Sequence, residues 1–512
     1  MKISRRSFLA SGALVTGSGL SLTSCATNPV NSPEFNTFQH GVASGDPLAD
    51  RVILWTRITP EKPDLQSVEV QWRVYTDKRG LELAKQGTLL TGAARDFTVK
   101  LDAIGLEPEQ DYYYQFEALG HISPMGRTHT LSDTTLDELN LAVVSCANYI
   151  YGHFNVYESV AGNDDLDVVI FLGDYLYEYA NSPAKKTPKI RLHIPDHEIT
   201  VLDDYRQRHA QYKTDTQLQA AHARHPFIAV WDDHESANNS WKTGAQNHNP
   251  ELDEGTWSDR KRAAIRAYFE WMPIRAFPEN PASRIYRSFA FGDLVDLMML
   301  DTRLEGRSEQ AAADASIDSL DDPAKRILSD QQTKWLEGEL VDSQQRKTQW
   351  RLIGQQVMFG QLIVDNTVLN MDQWDGYPGS RTKVLDIIED NNIDNVAILT
   401  GDIHSSWAMD ISRDPFAENP KPLAVEFVTP SVTSPAVTDP VEAKERADGV
   451  KKALPHLHFV DLNLHGYISI SINRERIKSS WIFVDTVLST NYREYTAATL
   501  ICDSGSARLR QA

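Results

Sequence analysis

Four apolar runs in this chain each end in residues that bind metals or move protons. Leu141-Ala142-Val143-Val144-Ser145 leads into Cys146, and Val168-Val169-Ile170-Phe171-Leu172-Gly173 leads into Asp174, with Tyr177 three residues on. Phe227-Ile228-Ala229-Val230-Trp231 leads into Asp232-Asp233-His234-Glu235, and Val396-Ala397-Ile398-Leu399-Thr400-Gly401 leads into Asp402-Ile403-His404. Singly, an aspartate after a strand is a helix cap or turn residue, and a buried cysteine is a small core residue. Four such ends together do not arise as independent caps, and they read as a metal site. Carboxylates, a phenolate and imidazole suit Fe(III), Mn, Mg, Ca or Zn rather than Cu(I). The absence of any Cys-x-x-Cys pair or His-Glu-x-x-His sequence argues against structural zinc and zincin proteases. A carboxylate ending a central strand, such as Asp174, can bridge two ions. Two ions about 3.5–4 Å apart form a clamp for in-line attack at phosphorus.

Open α/β sheets put ligand sites beyond the carboxyl ends of their strands, so these four runs must lie side by side. Amphipathic segments at Asp204 to Ala223, Ser258 to Met272, Ser329 to Ser343 and Ser380 to Asn391 alternate with them and predict covering helices. Gly173 and Gly401 let the backbone turn sharply and the substrate approach. From Phe38 to Leu131 the texture is instead β. Val52 to Trp55, Val68 to Tyr75, Phe97 to Leu101 and Tyr112 to Phe116 are short β-branched and aromatic runs separated by turn residues. They predict a small immunoglobulin- or fibronectin-like β-sandwich over 38–131, a join at Ser132 to Glu138, and an α/β domain over 139–512. The Pro-rich stretches Ser182 to Pro195 and Arg413 to Pro440 read as lids or surface loops.

Length and composition set the outer limits. With 512 residues, 41% hydrophobic and 24% charged, the chain is neither disordered, nor collagenous, nor a multi-span membrane protein. A formal net charge of −20 repels phosphate polymers, so no nucleic-acid-binding role is expected. A phosphorylated substrate then needs local positive charge, which bound metal would supply. Three cysteines make no disulfide framework. Ser4-Arg5-Arg6-Ser7-Phe8-Leu9, followed by a weakly apolar Gly/Ser-rich run, reads as a twin-arginine export signal over 1–25. Leu22-Thr23-Ser24-Cys25 has the form of a lipobox, which would anchor the mature chain through lipid on Cys25 in the periplasm or at the cell surface. Residues 26–37 read as a tether.

The strand-end residues resemble the calcineurin-like metallophosphoesterase pattern, and their finer wording is similar to its PhoD-like alkaline phosphatase branch. The matching strings are His40-Gly41-Val42-Ala43-Ser44-Gly45-Asp46-Pro47, Leu54-Trp55-Thr56-Arg57, Ser145-Cys146 and Gly173-Asp174-Tyr175-Leu176-Tyr177-Glu178. Trp231-Asp232-Asp233-His234-Glu235 with Asn238-Asn239, Leu300-Asp301-Thr302-Arg303 and Thr400-Gly401-Asp402-Ile403-His404 continue the series. The resemblance implies a four-layer α/β sandwich holding one ferric ion and calcium. Asp174 would bridge, Cys146 and Tyr177 would bind the iron, and Asp233, Asp402 and His404 would complete the shells. Ser145-Cys146 stands where most metallophosphoesterases carry Asp-x-His, and Asp233 where most carry Asn.

The expected function is hydrolysis of phosphate esters outside the cytoplasm, by attack of a metal-activated hydroxide or oxide on phosphorus. Phospholipase D-type or teichoic-acid phosphodiester hydrolysis would use the same site. A binding lipoprotein with a structural metal is the remote alternative. His234 is a candidate for contacting phosphate or protonating the leaving group, or else for holding Asp233. Asn238 and Asn239 are candidates for donating to phosphate oxygens or capping the next helix. For Arg57 and Arg303 an ion pair with an acidic neighbour is favoured over phosphate binding.

Overall fold

In the strands that flank the centre, alternate residues serve two different cores. Leu297 and Met299 of strand Val295–Met299 join one apolar cluster and Met298 joins another. Ala397 and Leu399 divide in the same way from Ile398 in strand Val396–Thr400. A strand buried on both faces needs a nearly continuous apolar run, and the exception, Asp296, is answered by Arg346 at 2.9 Å. The computed structural model describes residues 36–512 apart from 63, 182–188, 276–283, 321 and 366. The twin-arginine pattern, the lipobox and residues 26–35 of the tether lie outside the described residues, as does half of the first Pro-rich stretch, residues 182–188.

A ten-stranded and a seven-stranded sheet share the first cluster. Helices Asn155–Gly162, Leu202–Lys213, Thr216–Arg224 and Trp257–Trp271 contribute to it from the side of the ten-stranded sheet. Helices Asp330–Arg346 and Pro378–Asp390 pack through the second cluster on the seven-stranded sheet. The result is the expected helix–sheet–sheet–helix sandwich. In the ten-stranded sheet, strands Glu138–Val144, Val168–Phe171 and Pro226–Ala229 are parallel neighbours, so their carboxyl ends lie together. Val396–Thr400 is central in the other sheet, parallel to Trp350–Gln355 and Pro422–Val428. A bridge from Ser145 to Ser431 joins the strand-end segments beside the centre.

The leading strands form a β-sandwich around a core that includes Val52, Leu54, Val70, Val99, Tyr114 and Phe116. One of its sheets is separate, built on Ser67–Tyr75, Leu83–Gly92 and Asp111–Ala118. The other is continuous with the ten-stranded sheet, because Val42–Gly45 pairs parallel with Pro226–Ala229. Residues Thr37–Ala512 accordingly form one unit.

Two local readings change. The helix expected over Asp204 to Ala223 is two helices, since Asp215 turns its carboxylate onto the backbone N–H groups of Gln217 and Leu218 and caps the second. The stretch Arg413 to Pro440 contributes strand Pro422–Val428 to the interior of the seven-stranded sheet, because Ala424, Val425, Phe427 and Val428 need burial more than its prolines need solvent. Among the described residues no helix is long and apolar enough to cross a membrane.

Candidate active site

At the carboxyl ends of these strands the backbone leaves the sheet in left-handed turns. Cys146, Asp174, Asp402 and His404 have φ of 61°, 60°, 64° and 57°, and Asn239 beside them has 50°. Each such non-glycine residue costs about 1–3 kcal/mol, and the surrounding structure must hold it there. Gly173 is required by space as well as by its φ of 101°. A Cβ there would stand 2.4 Å from the Asp232 Cβ. Its role is therefore close packing against the neighbouring strand end, rather than access for substrate.

Three groups of donor atoms lie within 4.8 Å of one another: Cys146, Asp174 and His404; Asp174, Asp233 and His234; and Asp232, Asp233 and Asp402. Asp174 belongs to the first two and Asp233 to the last two, so the groups run together as one centre. Tyr177 joins them. Its hydroxyl donates to Asp174 Oδ2 at 2.8 Å, accepts from Ser434 Oγ at 2.6 Å and lies 3.0 Å from His404 Nε2. His404 Nδ1 donates to the Pro435 carbonyl at 3.2 Å, which turns Nε2 inward. Its side chain is 24% exposed whereas those of Asp174 and Asp233 are buried, so the centre opens to solvent on the His404 side.

The centre is strongly anionic. Burial pushes Asp402 up to about 6, against the pull of Arg303. Burial and the Asp174 charge push Glu235 up to about 8. At Asp233 burial is overcome by Arg303 and His234, which hold its carboxyl below the usual range. Burial and Asp174 together raise the Cys146 thiol and the Tyr177 phenol well above their ordinary values. In the protein alone both keep their protons, and a polyvalent cation among these oxygens reverses that. Asp232 Oδ2 is buried and has no hydrogen-bond partner among the described residues. Converging carboxylates, a thiol, a phenol and an inward imidazole nitrogen are a donor set that fits bound metal.

Glu235 and Glu178, which lie within the strand-end motifs without an assigned role there, hold the donors in place. Glu235 accepts the backbone N–H groups of Asp174, Tyr175 and Asp232 at 3.0, 2.6 and 2.8 Å. Glu178 Oε2 lies 2.6 Å from His234 Nδ1, and burial of that imidazole is outweighed by Asp233, Glu178 and Asp174, which raise its pKa. Asp372, Gln373 and Ser434 were not foreseen, and no local pattern marks them. Arg303 is wholly buried and pairs with Asp232, with Asp372 at 2.7 Å and with Asp402 at 2.6 Å. Gln373 Nε2 donates to the other Asp402 oxygen at 2.5 Å. Arg57 pairs with Asp96 at 2.7 Å, so both arginines are ion-pair partners as expected.

Asn238 and Asn239 sit on the rim. The Asn239 N–H donates to Asp233 Oδ2 and the Asn238 N–H to Glu178 Oε1, while both carboxamides donate to Gln246 Oε1. No helix follows them. The chain enters the short hairpin Ser240–Trp241 and Gly244–Ala245, so neither is a helix cap.

The family profile described as PhoD-like phosphatase matches residues 141–481, two thirds of the chain. The chain belongs to the PhoD-like phosphatase family. The profile of that family's N-terminal domain matches residues 24–132. Alkaline phosphatase D of Bacillus subtilis (strain 168) is 34% identical over 531 residues, covering 99% of this chain and 89% of the relative. The solved structure of PhoD superposes with a TM-score of 0.85 at 33% identity, covering 94% of this chain and 93% of that one. Purple acid phosphatase PPD1 from yellow lupin (Lupinus luteus) shares the fold at 12% identity, with a TM-score of 0.53 over 86% of this chain and 71% of its own. This PhoD-like phosphatase is a phosphoric ester hydrolase of the alkaline phosphatase type.

Proposed function

We propose that this PhoD-like phosphatase hydrolyses phosphate esters at a mixed ferric–calcium centre held by Cys146, Asp174, Tyr177, Asp233, Asp402 and His404. The observation that carries the reading is that Asp174 joins the group holding Cys146 and His404 to the group holding Asp233 and His234, as a bridging carboxylate would. Cys146 and Tyr177 lie on one side of Asp174 and suit the ferric ion, while the carboxylate-rich side suits calcium. When bound, the ions supply Lewis acidity toward the phosphoryl oxygens and activate water.

The protein's own groups do the rest. His234 is tied through Nδ1 to Glu178, which leaves Nε2 for the leaving-group oxygen. Asp233, fixed by the Asn239 N–H, and Asp402, fixed by Arg303 and Gln373, keep their remaining lone pairs directed at the centre. Asn238 and Asn239 on the rim are the residues best placed to meet substrate oxygens beside Asp233. The acidic surface would turn phosphate polymers away, leaving small or neutral-bodied esters as substrates. The twin-arginine pattern and Cys25 support export and a lipid anchor, which puts the reaction in the periplasm or at the cell surface.

The test is Asp174→Ala in exported protein, with elemental analysis beside turnover of an aryl phosphate. Loss of iron and calcium together with activity is expected. Retention of either metal with measurable turnover refutes the bridge.

A further inference from the structure

The ten-stranded sheet ends at strand Thr98–Ile104, and a groove with a cavity of about 670 Å3 lies between that edge and helix Trp257–Trp271. On a chain of net charge −20 its lining is unusual. Arg95, Lys100, Arg262 and Arg266 face it with a single carboxylate, Glu270. Glu270 is already answered twice, by Arg206 at 2.7 Å and by Arg266 at 2.9 Å. Arg262 is answered by Asp259 on its own helix. Arg95, from the short turn Ala93–Arg95, has no ion pair among the described residues. Lys100 Nζ donates to the Phe269 carbonyl and lies 5.4 Å from the Phe269 ring, with no carboxylate in ion-pair range among the described residues. Arg206 and Arg266 also converge on the Ala94 carbonyl, at 3.0 and 2.6 Å, so the guanidiniums are held in place before any ligand arrives. Burial draws the Lys100 amine down to about 8, and a nearby anion would draw it back up.

We propose that this groove is a binding site for a small phosphate-class anion, separate from the catalytic centre. Guanidinium forks match the oxygens of phosphate in pairs, and the cavity admits a small molecule rather than a polymer. The Phe269 ring and the arginine stems leave room for an apolar substituent on that anion. In strand order the groove edge lies three strands from Pro226–Ala229, about 14 Å away at ordinary strand spacing, and no residue of the centre lines it. The inference is independent of which metals the centre holds.

The experiment is calorimetric titration of the holoenzyme with inorganic phosphate and, separately, with phenylphosphonate, which resists hydrolysis. The Arg95→Ala/Lys100→Met variant is run beside wild type. Wild type is expected to bind at two sites, with the second weakened about tenfold or more in the variant and turnover at low phosphate unchanged. Tighter binding of phenylphosphonate at that second site identifies an ester-like ligand, and tighter binding of phosphate identifies the free anion. Should Lys100→Met disturb folding, Arg95→Glu on the exposed turn tests the same charge and should produce the same loss. Equal stoichiometry and affinity in wild type and variants overturns the proposal.

Discussion

Glu178 Oε2 lies 2.6 Å from His234 Nδ1, and this one contact leaves Nε2 as the imidazole nitrogen for the proposed proton donation. The other Glu178 oxygen is filled by the Asn238 N–H at 2.7 Å and by Asn247 Nδ2 at 2.8 Å, so the carboxylate has no freedom to turn. Glu178→Gln should lower kcat by about 10–100-fold on alkyl phosphates, the range seen when an outer hydrogen-bond partner is lost. Aryl esters with acidic leaving groups need little proton donation and should lose far less. A series of esters graded by leaving-group pKa checks this. A uniform loss across the series would mean that Glu178 acts only on the fold.

Tyr177 is expected to make the iron-loaded enzyme coloured. Its hydroxyl lies between Asp174, His404 and Ser434, so an ion held among these groups would meet the phenol oxygen. Phenolate on Fe(III) absorbs visible light, which calcium and zinc do not produce. Tyr177→Phe should remove the visible band at matched, measured iron content. An unchanged band would assign the colour to another ligand.

Arg303→Met should destabilise the metal-free protein by about 3–5 kcal/mol, because it strips the counter-charge from buried carboxylates. Asp232, Asp372 and Asp402 all depend on it. Arg303→Lys should recover only part of the loss, since one ammonium cannot answer three separated carboxylates as a planar fork does. Denaturant midpoints of the three proteins settle the matter. Equal midpoints would show that the arginine is dispensable.

Asp375 supplies a pH dependence away from the proposed metal ligands. Burial raises its carboxyl to about 6, with Leu362 N–H as a hydrogen-bond donor to Oδ2 and no partner for Oδ1 among the described residues. The folded state therefore holds a proton that the unfolded chain releases near pH 4. Its contribution is complete below that pH and is lost as pH rises through about 6. Asp375→Asn cannot ionise, so its stability relative to wild type should rise by about 1–2 kcal/mol between pH 5 and pH 8. Unfolding curves at the two pH values test the sign. A gap that stays constant or narrows contradicts it.

What could be read beforehand was the part encoded by local pattern. The runs before Cys146, Asp174, Asp232 and Asp402 are apolar because their strands are buried on both faces, and the polar residue at each end marks where the chain escapes the sheet. What could not be read came from distance along the chain. Ser434 and Asp372 reach the centre from loops whose own sequence carries no sign of it, through contacts 257 residues from Tyr177 and 69 from Arg303. The break at Asp215 was hidden for another reason. Helical periodicity continues across it, and only the competing side-chain hydrogen bonds stop the helix. The sharp turn at Gly173 is legible in the sequence but its neighbour is not, since its contact with Asp232 depends on the pairing of two strands.

The order of strands in the ten-stranded sheet also sets a timetable for synthesis. Val42–Gly45 emerges early but waits for Pro226–Ala229, and Glu138–Val144 waits for His465–Asn473 near the other end of the chain. At about 5–20 residues per second, the second wait lasts on the order of tens of seconds. Throughout it the strand that ends at Cys146 has an open edge on one side, able to pair with a neighbouring nascent chain. The centre thus has its full set of donors only after His404 and Ser434 have emerged, and a metal ion would meet them together only then.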